Sequence, residues 1–173
     1  MVTPEMALFD FQLVCESGSW PDEDALETLV KEVISTAALL LEQEEQQPFP
    51  DGEVELSLVF TDDEDVRGIN AEWRGMDKPT NVLSFPAFPV VPGEMPGPML
   101  GDIVLAFETV EREAAELDKS FNEHLTHLLT HGFLHLLGYD HIEKQEAELM
   151  EGLETRILAA LNLSDPYQGT DPV

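Results

Sequence analysis

The sequence predicts an α+β fold, a single small domain in which a mixed sheet of about four strands packs with about five helices. Three observations carry this. Segments of alternating polarity and segments of helical periodicity follow one another without a regular β-α-β alternation. Gly- and Pro-rich breaks separate them, and no internal repeat is visible. The length of 173 residues suits one domain with a proper core. Residues 1–163 are assigned to that domain, and 164–173 are expected to be a flexible tail.

Leu8 to Val14 alternates as a strand does. A helix from Asp22 to about Glu45 opens after Pro21, with Leu26, Leu29, Val33 and Ala37 at helical spacing. The run Glu42 to Gln47 reads as its solvated end or a loop. A second strand, Val54 to Phe60, puts Val54, Leu56, Leu58 and Phe60 on one face. Thr61-Asp-Asp-Glu64 has the form of a capping box opening a helix to about Glu72. Asn81 to Phe85 is a short strand stopped by Pro86, and the five prolines and two glycines from Pro86 to Pro98 make a long irregular loop. The fourth strand, Asp102 to Phe107, follows Gly101. Helices then cover Glu108 to Asp118, Phe121 to Leu137, and His141 to Leu161. The helix from Phe121 carries Leu125, Leu128, Leu129, Phe133 and Leu136 beside a row of histidines, which makes it central and mostly buried.

All five histidines fall between His124 and His141. Residues four apart lie one turn above each other, so His131 and His135 aim at one point. His141 comes six residues later, and Gly138 supplies the left-handed conformation that ends a helix and turns the chain back. This H-x-x-x-H-x-x-G-x-x-H spacing is a metal-ligand pattern on a central helix and its following turn. Three imidazoles suit one Zn²⁺ per chain, with water as the fourth ligand. The lone Cys15 is distant in sequence, so a closed structural site would have to recruit a residue such as Asp140. A metal-free helix with solvated histidines is the plain alternative. Along the same helix His124 and His127 are too far from the ligand pair to share its ion, so His127 is expected behind the ligands or facing substrate, and His124 exposed. The glutamate that follows the first histidine in H-E-x-x-H proteases is here Gly132, which removes their general base.

Eight basic against 36 acidic residues give a formal net charge of −28. Such a chain repels itself and, taken as a whole, repels nucleic acid. The acid is uneven, however. From Trp73 to Phe107, Arg74 and Lys78 stand against Asp77, Glu94 and Asp102, a local net of −1. Between Phe121 and His141 only Glu123 and Asp140 are charged. One face is thereby spared, as an RNA site requires. Arg74 and Lys78 sit in a Gly/Pro-flanked loop; the competing account of Arg74 is a salt bridge with Asp77 or Glu72. A single cysteine, no leader-like N-terminus and no membrane-length apolar run lead to the expectation of a soluble cytoplasmic protein.

The stretch His131-Gly-Phe-Leu-His-Leu-Leu-Gly-Tyr-Asp-His141 resembles the signature of the YbeY family, bacterial endoribonucleases of ribosomal-RNA maturation. Asn70-Ala-Glu-Trp-Arg-Gly-Met-Asp-Lys-Pro-Thr-Asn-Val-Leu-Ser-Phe-Pro86 and Gly101-Asp-Ile-Val104 agree with it, so the resemblance covers most of residues 68 to 141. It implies a metal-dependent, single-strand-specific endoribonuclease acting on precursor rRNA in 16S maturation and ribosome quality control. The ribosome or ribosome-associated proteins are the implied partners. The family's metal ligands fall on His131, His135 and His141 and its functional arginine on Arg74. Arg74 and His131 are therefore the catalytic candidates, and Lys78 and His127 the substrate-binding ones. Two other readings compete: a zinc peptidase-like hydrolase, which would need a methionine turn that Met150 on a helix does not supply, and a metal-stabilised, ribosome-associated binding module.

Overall fold

The computed structural model describes residues 8–140 and 142–163. His141 and the expected tail, 164–173, lie outside the described residues. Strand β1 (Leu8–Cys15) leads into helix α1 (Glu23–Glu44), which returns the chain to β2 (Glu53–Thr61), parallel to β1. Helix α2 (Asp63–Arg74) and the short β3 (Val82–Pro86) precede β4 (Met99–Ala106). Helices α3 (Phe107–Glu116), α4 (Phe121–Leu136) and α5 (Lys144–Ala160) complete the fold. The sheet runs in the order β1-β2-β4-β3, with β2 and β4 parallel and β3 antiparallel to β4. This is the expected α+β domain, with four strands and five helices among the described residues.

Alternation along β2 buries Val54, Leu56, Leu58 and Phe60 on one face, against Leu26, Val30 and Ile34 of α1 and Leu125, Leu129 and Phe133 of α4. Helix α5 joins the same core through Met150, Leu153 and Ile157. The other face of the sheet is covered by α2, where Val66 packs with Leu83, Val104 and Ala106. Caps fix the ends of the helices. Asp22 accepts from the Ala25 amide at 2.8 Å, and Ser120 and Glu123 form a reciprocal capping box that starts α4.

Several local expectations needed correction. The cap of α2 is Asp62, which accepts from the Asp65 amide at 2.8 Å. Thr61 still belongs to β2, and its hydroxyl donates to the Asp65 carboxylate. Gly101 lies inside β4, where a β-carbon would sit 2.1 Å from the Phe85 carbonyl oxygen, so glycine permits close strand approach there instead of preceding the strand. Phe107 opens α3 and does not end β4. Helix α5 begins at Lys144, three residues after the expected start. Gln47 is buried, not solvated: its side chain donates to the Glu94 and Pro48 carbonyls and accepts from the Gly93 amide, pinning the proline-rich loop.

Candidate active site

Helix α4 carries four of the histidines. At Gly132 the helix touches the sheet so closely that a β-carbon would lie 3.2 Å from Ile103 and from the Ser84 hydroxyl. The position that holds the base in H-E-x-x-H proteases thus faces packed strand and has no room for a glutamate.

His131 and His135 meet as the four-residue spacing requires. Their Nε2 atoms are 3.0 Å apart and their rings nearly perpendicular, at 77°. Behind them stands Glu154 of α5, 1% exposed. One oxygen of this carboxylate takes His131 Nδ1 at 2.9 Å and His127 Nε2 at 3.2 Å. Burial by itself would raise the Glu154 carboxyl, but hydrogen bonds and charge from His127 and His131 outweigh it and hold it at about 2. An ionised carboxylate accepts only, so the facing nitrogens carry the hydrogens. When the His131 imidazole is neutral with its hydrogen on Nδ1, the Nε2 that faces His135 offers a lone pair. A carboxylate behind a histidine is the usual way a ligand imidazole is oriented and made more basic.

The donor set fits a metal ion. Two nitrogens sharing a tetrahedral ion at about 2.0–2.1 Å lie about 3.3 Å from each other, close to the observed separation. Among the described residues no three His, Cys, Asp or Glu side chains converge as a complete site. The third expected ligand, His141, lies outside them. The turn that leads to it is in place: Gly138 has φ 97°, its amide bonds the His135 carbonyl, and a β-carbon there would collide with the Val90 carbonyl at 2.1 Å.

A cleft of about 750 Å³ opens at the pair, lined by His131, His135, Asp140, Arg74, Asn81 and Ser84 among others. Arg74 is exposed at the last position of α2, where Gly75 ends the helix in the left-handed conformation. The competing salt bridge is absent. Asp77 pairs with Arg67, at 2.8 and 3.2 Å, and Arg74 has no ion pair among the described residues. Lys78 is exposed on the following loop and does not line the cleft; its carbonyl accepts from Asn70. His127 also stands outside the cleft, turned to Glu154.

His124, expected to be exposed, is buried; it bonds Glu113 of α3 at 2.8 Å, and the same carboxylate oxygen takes the Asn81 side-chain amide at 2.9 Å. The hydrogen bond from His124 lowers the Glu113 carboxyl, and Asn81 adds to this against a smaller burial penalty. Neither Glu113 nor Glu154 was singled out by sequence. Glu154 had a usable signal, since it falls between Met150, Leu153 and Ile157 on the apolar stripe of α5. Met150 is buried within that helix and forms no turn, which removes the feature a peptidase of this spacing needs.

The sequence profile described as Endoribonuclease YbeY matches residues 16–162. Proteins named Endoribonuclease YbeY from Sinorhizobium fredii and Rhizobium meliloti are 67% and 66% identical, over 94% and 96% of this chain and 94% and 99% of their own lengths. The namesake from Agrobacterium fabrum is 65% identical over 97% of this chain and 100% of its own. A solution structure of a Thermotoga maritima protein shares the fold, with a TM-score of 0.54 at 24% identity, covering 94% of this chain and 98% of that one. The chain belongs to the endoribonuclease YbeY family.

Proposed function

We propose that the cleft cleaves single-stranded RNA, with Arg74 and a metal ion on the His131 and His135 side acting on one phosphodiester. Family membership makes the chain an RNA-cleaving hydrolase. The finer reading is a zinc-dependent endoribonuclease acting in the cytoplasm on precursor rRNA, in 16S maturation and ribosome quality control, with the ribosome or ribosome-associated proteins as partners. No described helix is long and apolar enough to cross a membrane. The observation that carries the reading is the convergence of His131 and His135 Nε2 at 3.0 Å, braced by buried Glu154, in a cleft that Arg74 also lines.

His131, His135 and His141 would hold the ion, which supplies Lewis acidity toward phosphoryl oxygen and a means to lower the pKa of bound water. Glu154, as acceptor at His131 Nδ1, favours the tautomer in which Nε2 is the ligating atom. Arg74 remains charged at any working pH and can reach two phosphoryl oxygens through its planar fork as negative charge builds there. Lys78, exposed on the loop that follows α2, is the further cation for the strand beyond the cleft, and His127 contributes through Glu154.

The test pairs metal analysis with cleavage. The native protein should contain about one zinc per chain and cut single-stranded RNA but not the same sequence in a duplex. His135→Ala should lose the metal and the activity while keeping its fold. Full metal occupancy in His135→Ala, or cleavage that survives complete metal removal, would overturn the reading.

A further inference from the structure

We propose that Trp73 is a stacking platform for one unpaired nucleobase of the strand held in the cleft. This rests on the RNA-cleaving reading above and adds a binding site to it. The chain has two tryptophans, and the structure treats them oppositely. Trp20 is packed edge-on against Phe60, Phe107 and Phe121, and its indole N–H donates to the Ser17 and Thr61 carbonyls. Trp73 is 69% exposed. Its one ring contact among the described residues is Phe85 of β3, met at 61° with the centroids 6.5 Å apart. An edge contact of that kind steadies a ring and leaves much of its surface to solvent.

The position of the ring relates it to the cleft. Trp73 directly precedes Arg74, and Phe85 lies between Ser84 and Pro86; Arg74, Ser84 and Pro86 all line the cleft. Trp73 and Phe85 do not line the cleft themselves: alternation turns Phe85 to the α2 face of β3, so the indole stands beside the cleft on that face, next in sequence to its lining Arg74. Consecutive helix residues diverge by about 100°, so Arg74 and Trp73 point in different directions, one suited to the backbone phosphate and the other to a base beside it.

Charge says why such a platform is needed. Nucleic-acid binders usually gain most of their affinity from many cations on phosphates. This chain carries a net charge of −28, and the segment from Trp73 to Phe107 has only Arg74 and Lys78 as cations. Stacking requires no charge, works with any base, and is available only where bases are unpaired. A single exposed indole beside the cleft supplies both affinity and preference for single strands.

The test compares wild type, Trp73→Ala and Trp73→Phe in steady-state cleavage of a 12-nucleotide single-stranded RNA, and of the same RNA carrying an abasic site at each position in turn. Trp73→Ala should raise KM about tenfold, within the range for removing one base–aromatic stack. Its kcat should change by less than about threefold, because the ring touches no reacting atom. Trp73→Phe should recover most of the loss. In wild type, one abasic position should raise KM by a similar factor, and Trp73→Ala should be indifferent to that position. An unchanged KM in Trp73→Ala, or abasic effects that simply add to it, would overturn the proposal while leaving the RNA reading intact. Loss of a dimer in sedimentation, with KM unchanged, would assign the ring to a contact between copies and overturn it as well. Failure of the wild type to cleave any single-stranded RNA would instead overturn the functional reading on which it stands.

Discussion

Replacing Glu154 with glutamine tests how the ligand pair is held. The carboxylate is 1% exposed and takes His131 Nδ1 at 2.9 Å and His127 Nε2 at 3.2 Å through one oxygen. Glutamine keeps the shape and can keep an acceptor at that place, so the change is chiefly the loss of charge. Charge-assisted hydrogen bonds contribute about 1.5–3 kcal/mol and neutral ones about 0.5–1.5, so two weakened bonds cost about 2 kcal/mol together. Part of that cost should appear in metal affinity, because His131 becomes a less basic and less firmly oriented ligand; changes behind ligands typically cost about 10- to 100-fold. Glu154→Ala goes further, leaving two half-buried donors without their acceptor, at up to about 1–3 kcal/mol each. The assay is zinc competition against a chelator of known affinity, with urea unfolding of the metal-free proteins alongside. Glu154→Gln should bind zinc about 10- to 100-fold more weakly and unfold at modestly lower urea, and Glu154→Ala should be worse in both. Unchanged zinc affinity in a folded Glu154→Gln would refute the idea that this carboxylate sets the ligand geometry.

Other outcomes follow from the same structure. Gly138→Ala combines φ 97° with a β-carbon 2.1 Å from the Val90 carbonyl, so urea unfolding should show a loss of about 2–4 kcal/mol. Gly152→Ala, in α5 with no atom within 4 Å of the added carbon, should instead stabilise by about 0.5–1 kcal/mol. The Glu113 carboxyl is lowered by its bond from His124, so its contribution to stability is present above the ordinary carboxylate value of 4.5 and fades as pH falls through the lowered folded value. Glu113→Gln should therefore be less stable than wild type near neutral pH, and the two should converge in acid; a difference that persists at the lowest pH would point to packing instead. Affinity for free single-stranded RNA should hold or tighten as salt rises from very low levels, because a net charge of −28 repels the strand at long range; a steep loss with salt would mean that cation–phosphate contacts dominate.

What could be read in the chain was what depends on local spacing. The alternation of Val54 to Phe60 and the stripe of Leu125, Leu129 and Phe133 give strand and helix directly, because both periods are set by backbone geometry. The meeting of His131 and His135 follows from one helical turn. The partners of those histidines do not. Glu154 reaches His131 across 23 residues of chain and Glu113 reaches His124 across 11, each from another helix whose placement depends on the whole core. In the sequence both are two among 36 acidic residues, most of them solvated. Gln47 was hidden for a similar reason: it ends a run of glutamates and glutamines, yet the proline-rich loop folds back on it and its buried amide bonds the Gly93 N–H and the Glu94 carbonyl. Gly101 looked like a break before a strand because the crowding by Phe85 exists only once β3 and β4 pair.

The most direct test of the account is single-turnover cleavage of single-stranded RNA by Arg74→Ala, with melting temperature and zinc content measured on the same samples. Arg74 lines the same cleft as His131 and His135 and has no ion pair among the described residues, so its removal should disturb neither fold nor metal. The cleavage rate should fall by about 10²–10³, the scale for losing one donor to transition-state charge. Arg74→Lys should restore only part of it, since an ammonium lacks the paired geometry. Near-normal cleavage by Arg74→Ala, with zinc bound and fold intact, would contradict the account and remove the arginine from the chemistry.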